Sequence, residues 1–175
     1  ECSPVGLIAN PPAGGGAAVA EETKSSQGRP IPGLELRAVE GDASTPWDGA
    51  SIGELQISGP YVVADYYGAE SGSTADKFAD SEGRRWLRTG DVVTVDRRGY
   101  VRLVDRTKDL VKSGGEWISS VTLENHLLAH PAVREVAVIA VPDPKWDERP
   151  MAVVAAHGVD AARLRDFLAD RVPRW

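Results

Sequence analysis

Trp86-Leu87-Arg88-Thr89-Gly90-Asp91-Val92-Val93-Thr94-Val95-Asp96-Arg97-Arg98-Gly99-Tyr100-Val101-Arg102-Leu103-Val104-Asp105-Arg106-Thr107-Lys108-Asp109-Leu110-Val111-Lys112-Ser113-Gly114-Gly115-Glu116-Trp117-Ile118 is the stretch on which the fold turns. Residues 91–96 and 100–105 each alternate apolar and polar side chains, the period of a half-buried strand. Arg97-Arg98-Gly99 lies between them, with a glycine free to take positive φ, so the pair reads as a β-hairpin. Arg88-Thr89-Gly90-Asp91 reads, on its own, as a turn opening the first of those strands. Gly114-Gly115 reads as a tight turn leading into another strand.

Toward the N-terminus the same alternation recurs at 34–39 and 54–57, giving two more half-buried strands. The first 30 residues look mostly like loop, since Pro11-Pro12-Ala13-Gly14-Gly15-Gly16 breaks regular structure and the stretch to Gln27 holds few large apolar residues. About a hundred residues are therefore β-rich, the size of a small distorted barrel. Toward the C-terminus the period changes. Ser119 and Ser120 are candidate N-caps for a helix that runs to His130 and is stopped by Pro131. Strands follow at 133–141 and 151–157. Asp160 caps a last helix with Leu164, Phe167 and Leu168 on one face. Helix, strand, strand, helix around a short sheet is an α+β layout, with a lobe boundary at 105–109.

Composition limits the function classes. The formal net charge of −6 speaks against a nucleic-acid binder, which displays a basic face. No apolar run approaches the roughly 20 residues of a membrane-spanning helix. Cys2 is the only cysteine, which excludes an intrachain disulfide and a cysteine metal cluster. His126 and His130 stand four apart on the expected helix without the glutamate of a zincin motif, and read as a surface pair.

Taken together and in order, Arg88-Thr89-Gly90-Asp91 and Asp105-Arg106-Thr107-Lys108-Asp109 resemble the motifs of the adenylate-forming superfamily, which includes acyl-CoA synthetases, luciferases and peptide-synthetase adenylation domains. Gly28-Arg29-Pro30-Ile31-Pro32-Gly33 is similar to the family's Gly-Arg-Pro-x-Pro-Gly segment. Gly53-Glu54-Leu55 is similar to its Gly-Glu-Leu strand motif, and Glu1 to the end of its aromatic-Gly-x-Thr-Glu motif. The wording of Lys112-Ser113-Gly114-Gly115-Glu116-Trp117-Ile118-Ser119 is nearest to the medium- and long-chain fatty-acyl ligases.

The resemblance implies three parts: a β-rich subdomain at 1–104, a hinge at 105–109 and a truncated α+β lobe at 110–175. It implies that Asp91 accepts hydrogen bonds from the ribose hydroxyls of ATP, and that Arg106 lies near the ribose and α-phosphate. Glu1 would hold Mg²⁺ against the phosphates. Lys108 would be the hinge about which the C-terminal lobe rotates between two poses. Gly114 and Gly115 would line the coenzyme A tunnel, where the absence of Cβ admits the thiol arm. Trp117 falls where some relatives carry an arginine, so packing is its expected role. Lys112 reads as an exposed strand lysine, residues 143–150 as a solvated turn beside CoA, and Glu124 and Asn125 as helix surface.

The family's glycine-rich phosphate loop has no counterpart among these residues, and its catalytic lysine lies beyond Trp175. The resemblance therefore implies no catalytic residue here and an inactive fragment. The activity implied for the parent is acid plus ATP and CoA to acyl-CoA, AMP and pyrophosphate, in the cytoplasm. Two other readings stay open: an adenylation domain that loads a carrier protein, and a non-catalytic interaction module.

Overall fold

A computed structural model describes residues 7–10, 14, 16–67 and 74–172. The chain divides into two compact units, Glu1–Val104 and Asp105–Trp175.

The first unit is built on antiparallel sheet. Its elements are β1 (Leu7–Ile8), α1 (Ala17–Lys24), β2 (Arg29–Pro30), β3 (Glu35–Glu40), β4 (Ala43–Ser44), β5 (Ile52–Ser58), a 3₁₀ turn (Ala75–Lys77), β6 (Phe78–Ser81), β7 (Arg84–Val95) and β8 (Val101–Arg106), whose last two residues belong to the second unit. The strands run β4-β3-β5-β7-β6, with β8 also paired to β7, while β1 and β2 form a separate pair. β4 and β6 end this path without pairing to each other, so among the described residues the sheet is open and not a closed barrel. The registers Leu36↔Ile57, Ala38↔Leu55 and Ile57↔Leu87 set apolar side chains directly opposite one another. Side chains alternate between the faces of a strand, so one face collects Leu36, Ala38, Leu55, Ile57, Leu87, Val93 and Val95 into a core with Leu34, Phe78 and Val101.

The expected hairpin is present. Gly99 N–H donates to Asp96 O at 2.8 Å, and Asp96 N–H donates to Tyr100 O at 3.0 Å. The Asp96 carboxylate accepts from the amides of Arg98 and Tyr100 at 2.8 and 2.9 Å. Partial burial pushes this carboxyl up, but the Tyr100 amide and the Arg98 side chain and amide outweigh it and hold it below its ordinary value.

The N-terminal stretch departs from the loop reading. Ala17–Lys24 is an α-helix whose buried Thr23 donates its hydroxyl to Val19 O at 2.8 Å. Alanine and glutamate favour helix even where few large apolar residues are available to bury.

The second unit contains β9 (Val111–Ser113), β10 (Glu116–Ile118), α2 (Ser120–Leu128), β11 (Val133–Asp143), β12 (Asp147–Ala156) and α3 (Ala161–Leu168). Its sheet runs β10-β9-β12-β11. Val111, Ile118, Leu123 and Val138 form its buried cluster. Ser119 caps α2 by accepting from Thr122 N–H at 3.1 Å, and Asp160 caps α3 by accepting from Arg163 N–H at 2.9 Å. The β11–β12 hairpin is longer than the sequence suggests, pairing from Val133↔Ala156 to Asp143↔Asp147. Its polar end, 143–150, is thus largely strand and not only a solvated turn. Cross-strand pairing extends over residues that have no alternating apolar signal.

Candidate functional site

The Arg-Thr-Gly-Asp segment is not a turn that opens a strand. It is a bulge inside β7. Glu54 pairs with Val92 and Gln56 with Arg88, so Thr89, Gly90 and Asp91 together face the single residue Leu55 of β5. Two extra residues are an even number, so Leu87 before the bulge and Val93 after it point to the same core face; one extra would have turned half the strand inside out. Gly90 takes φ 72°, the left-handed region that glycine enters without a Cβ penalty. Thr89 clasps the bulge, since its hydroxyl donates to Leu55 O at 2.9 Å and accepts from Asp91 N–H at 3.1 Å. The half-buried Asp91 is therefore held by the backbone of the unit's central strand pair.

In the second unit, Arg106 and Lys108 sit in a tight turn. Arg106 O accepts from the amides of Asp109 and Leu110, both at 3.0 Å, and both side chains are exposed. Asp91 belongs to the first unit and Arg106 to the second. Asp105, which the sequence reading passed over, is 3% exposed. Its Oδ1 accepts from Arg106 N–H at 2.8 Å, and its Oδ2 accepts from the hydroxyls of Ser119 and Ser120, each at 3.0 Å. Two adjacent serines after a buried aspartate were the available signal.

Gly114 and Gly115 form the two-residue loop between β9 and β10. Ser113 pairs with Glu116, and the two φ values are 58° and 87°. Positive φ at both positions is the geometry of a type I′ hairpin, which glycine supplies. The two differ in surroundings. A Cβ on Gly114 would meet Trp146 Cε3 at 2.7 Å, while one on Gly115 would meet nothing within 4 Å. Gly114 N–H donates to Trp146 O at 2.9 Å, which ties this loop to the β11–β12 turn. Lys145 lies 4.5 Å from the Trp146 ring centroid, and Lys112 lies 5.8 Å from that of the half-buried Trp117. The structure thus brings Gly114, Gly115, Lys112 and Trp117 together with Trp146. Lys112 is exposed, as expected, although it also covers an aromatic face.

Glu1, the expected Mg²⁺ ligand, lies outside the described residues. Among the described residues, no group of three or more His, Cys, Asp or Glu side chains could hold a metal ion. His130 accepts from Ala132 N–H at 3.1 Å and meets Phe167 edge-on at 4.8 Å, and both it and His126 are half-buried. Glu124 is likewise more than helix surface, since its Oε1 accepts from Val138 N–H at 2.8 Å and stitches α2 to β11. No helix among the described residues is long and apolar enough to cross a membrane.

Residues 122–175 match the model of the AMP-binding enzyme C-terminal domain. The whole chain is 44% identical over 182 residues to 3-methylmercaptopropionyl-CoA ligase of Ruegeria pomeroyi, covering 32% of that protein. Over 136 residues it is 48% identical to long-chain-fatty-acid–CoA ligase of Thermus thermophilus, covering 77% of this chain and 24% of that one. Its fold superposes on o-succinylbenzoate CoA synthetase of Bacillus subtilis, solved with its acyl-adenylate intermediate, at a TM-score of 0.72 and 32% identity over 90% of this chain and 31% of that one. The chain belongs to the adenylate-forming superfamily. It spans about a third or less of the length of these relatives. The same Bacillus enzyme with ATP and magnesium ion also matches, at a TM-score of 0.68 and 32% identity over 86% of this chain and 30% of that one. The described part of this chain is sheet-rich with few helices, and it superposes on about a third of that enzyme.

Proposed function

We propose that this chain is the ribose-binding, hinge and CoA-channel segment of an ATP-dependent acyl-CoA ligase, with a fatty acid as the acid substrate. The observation that carries the reading is the two-residue bulge at Thr89–Asp91. It fixes a carboxylate on a rigid strand pair, a suitable partner for a vicinal diol. Asp91 binds the ribose of ATP. Arg106, the exposed last residue of β8, offsets charge near the α-phosphate. Lys108 in the turn that follows is the pivot for the C-terminal lobe, and Glu1 is the ligand for Mg²⁺.

For CoA, the open space over Gly115 supports a close approach by the pantetheine arm, while Gly114 is already packed against Trp146. Lys112 and Lys145 beside aromatic rings offer cations for the phosphates of CoA. The likeness to relatives named as CoA ligases favours CoA as the acceptor over a carrier protein. The use of ATP and CoA as co-substrates is compatible with a reaction in the cytoplasm.

The test is Asp91→Ala in the full-length protein, read by pyrophosphate release. Charge-assisted hydrogen bonds contribute about 1.5–3 kcal/mol each, so losing two lowers kcat/KM for ATP by about a hundredfold or more. Undiminished release would remove Asp91 from the ribose.

A further inference from the structure

We propose that Asp105 is a positioning residue of the hinge: its carboxylate clasps the first turn of α2 across Lys108, holding one pose of the lobe and releasing it for the other. The proposal rests on Lys108 being the pivot. Asp105 Oδ2 accepts from Ser119 Oγ and Ser120 Oγ at 3.0 Å and from Val121 N–H at 3.4 Å. Arg106 O accepts from the amides of Asp109 and Leu110. All five bonds join a residue before Lys108 to one after it. A dihedral change at Lys108 therefore carries Asp105 away from residues 119–121.

Ser119 both caps α2 through Thr122 N–H and donates to Asp105, whereas the hydroxyl of Ser120, 4% exposed, donates to Asp105. A carboxylate as enclosed as Asp105 cannot lose its donors without water or new partners, so intermediate positions are disfavoured and the arrangement is bistable. The Thr107 hydroxyl, within the same turn, is enclosed without a hydrogen-bond partner. This pose thus leaves a polar group unmet that a different turn geometry can satisfy.

The experiment uses the full-length protein with Ser120→Ala and Asp105→Asn. Two half-reactions are timed separately: pyrophosphate release from acid and ATP, and AMP release from preformed acyl-adenylate and CoA. The clasp predicts that the ratio of the two rates shifts at least about fivefold, in the same direction for both variants and further for Asp105→Asn. Equal losses in both half-reactions, or no change in either, overturn it. Ser120→Ala removes a single side-chain bond and carries the test should Asp105→Asn fail to fold. Lys108→Pro is run in parallel. If it shifts the ratio while the clasp variants do not, the Asp105 assignment fails and the pivot stands. An unchanged ratio in Lys108→Pro removes the pivot, and with it the clasp, whatever the other variants do.

Discussion

Thr89→Val tests whether the bulge in β7 is held by one hydroxyl. Valine keeps the shape and β-branching of threonine and removes only the donor and the acceptor. The Thr89 hydroxyl bonds two backbone groups, Leu55 O at 2.9 Å and Asp91 N–H at 3.1 Å. Leu55 pairs with Ala38 of β3 but has no register partner on β7, and its carbonyl accepts from this side chain. Each bond contributes about 0.5–1.5 kcal/mol net, and a buried group left unmet costs about 1–3. The site is half-buried, so water recovers part of the loss, and the expected destabilisation is about 2 kcal/mol. Equilibrium urea denaturation reads this directly, with hydrogen exchange at the Asp91 amide as the local report. Thr89→Ser retains the hydroxyl and should lie near the parent. A valine variant within about 0.5 kcal/mol of the parent, the range of an ordinary surface change, would refute the clasp. So would a serine variant as unstable as the valine one.

Two further outcomes follow from the geometry. Gly114→Ala and Gly115→Ala each force an L-residue into the left-handed region at about 1–2 kcal/mol, but only Gly114→Ala must displace Trp146; a shifted indole N–H resonance of Trp146 in that variant alone is the expected signature. Asp48 accepts from the Ser51 and Ala50 amides and the Ser51 hydroxyl, and these bonds lower its pKa to about 2. Because the folded value lies below the unfolded one, the loop gains stability that is fully present above about pH 4 and disappears as pH falls toward 2. A carboxyl titration by NMR with a midpoint at the ordinary aspartate value would show that the Asp48 bonds do not form.

Much of this architecture could be read from the sequence because its signals are local. Alternation at 34–39 and 54–57 becomes β3 and β5, a two-strand register carries Arg97-Arg98-Gly99 as its turn, and Ser119 and Asp160 cap the helices they precede. What escaped was set by contacts distant in sequence. A bulge at Gly90 is defined only against Leu55, more than thirty residues away, so Thr89-Gly90-Asp91 looks like a turn until its partner strand is in place. Glu124 reads as helix surface because nothing near it in sequence reveals the Val138 amide it accepts from. Asp105 sits among charged residues that are exposed, and its burial depends on serines fourteen and fifteen positions later. Helix α1 was missed for the opposite reason: its signal is local propensity, but it lacks the large apolar stripe by which helices are usually recognised. The site residues fared as their surroundings did. Gly114-Gly115 was visible as a turn, whereas the difference between the two glycines exists only once Trp146 arrives from the neighbouring hairpin.

The pairing of β8 bears on how the protein is made. Val101 exchanges backbone hydrogen bonds with Gln27 and Gly28, and the Gln27 side chain accepts from Leu103 N–H. Strand β8 also lines up with β7. On a ribosome the first unit therefore stays unsealed until residue 103 has cleared the exit tunnel, leaving β7 without its β8 partner in the meantime. The second unit starts two residues later and is built from the neighbouring hairpins β9–β10 and β11–β12, whose short loops close quickly. Synthesis thus delivers the slow, non-local half first and the fast, local half second, so the first sheet waits longest for its last strand.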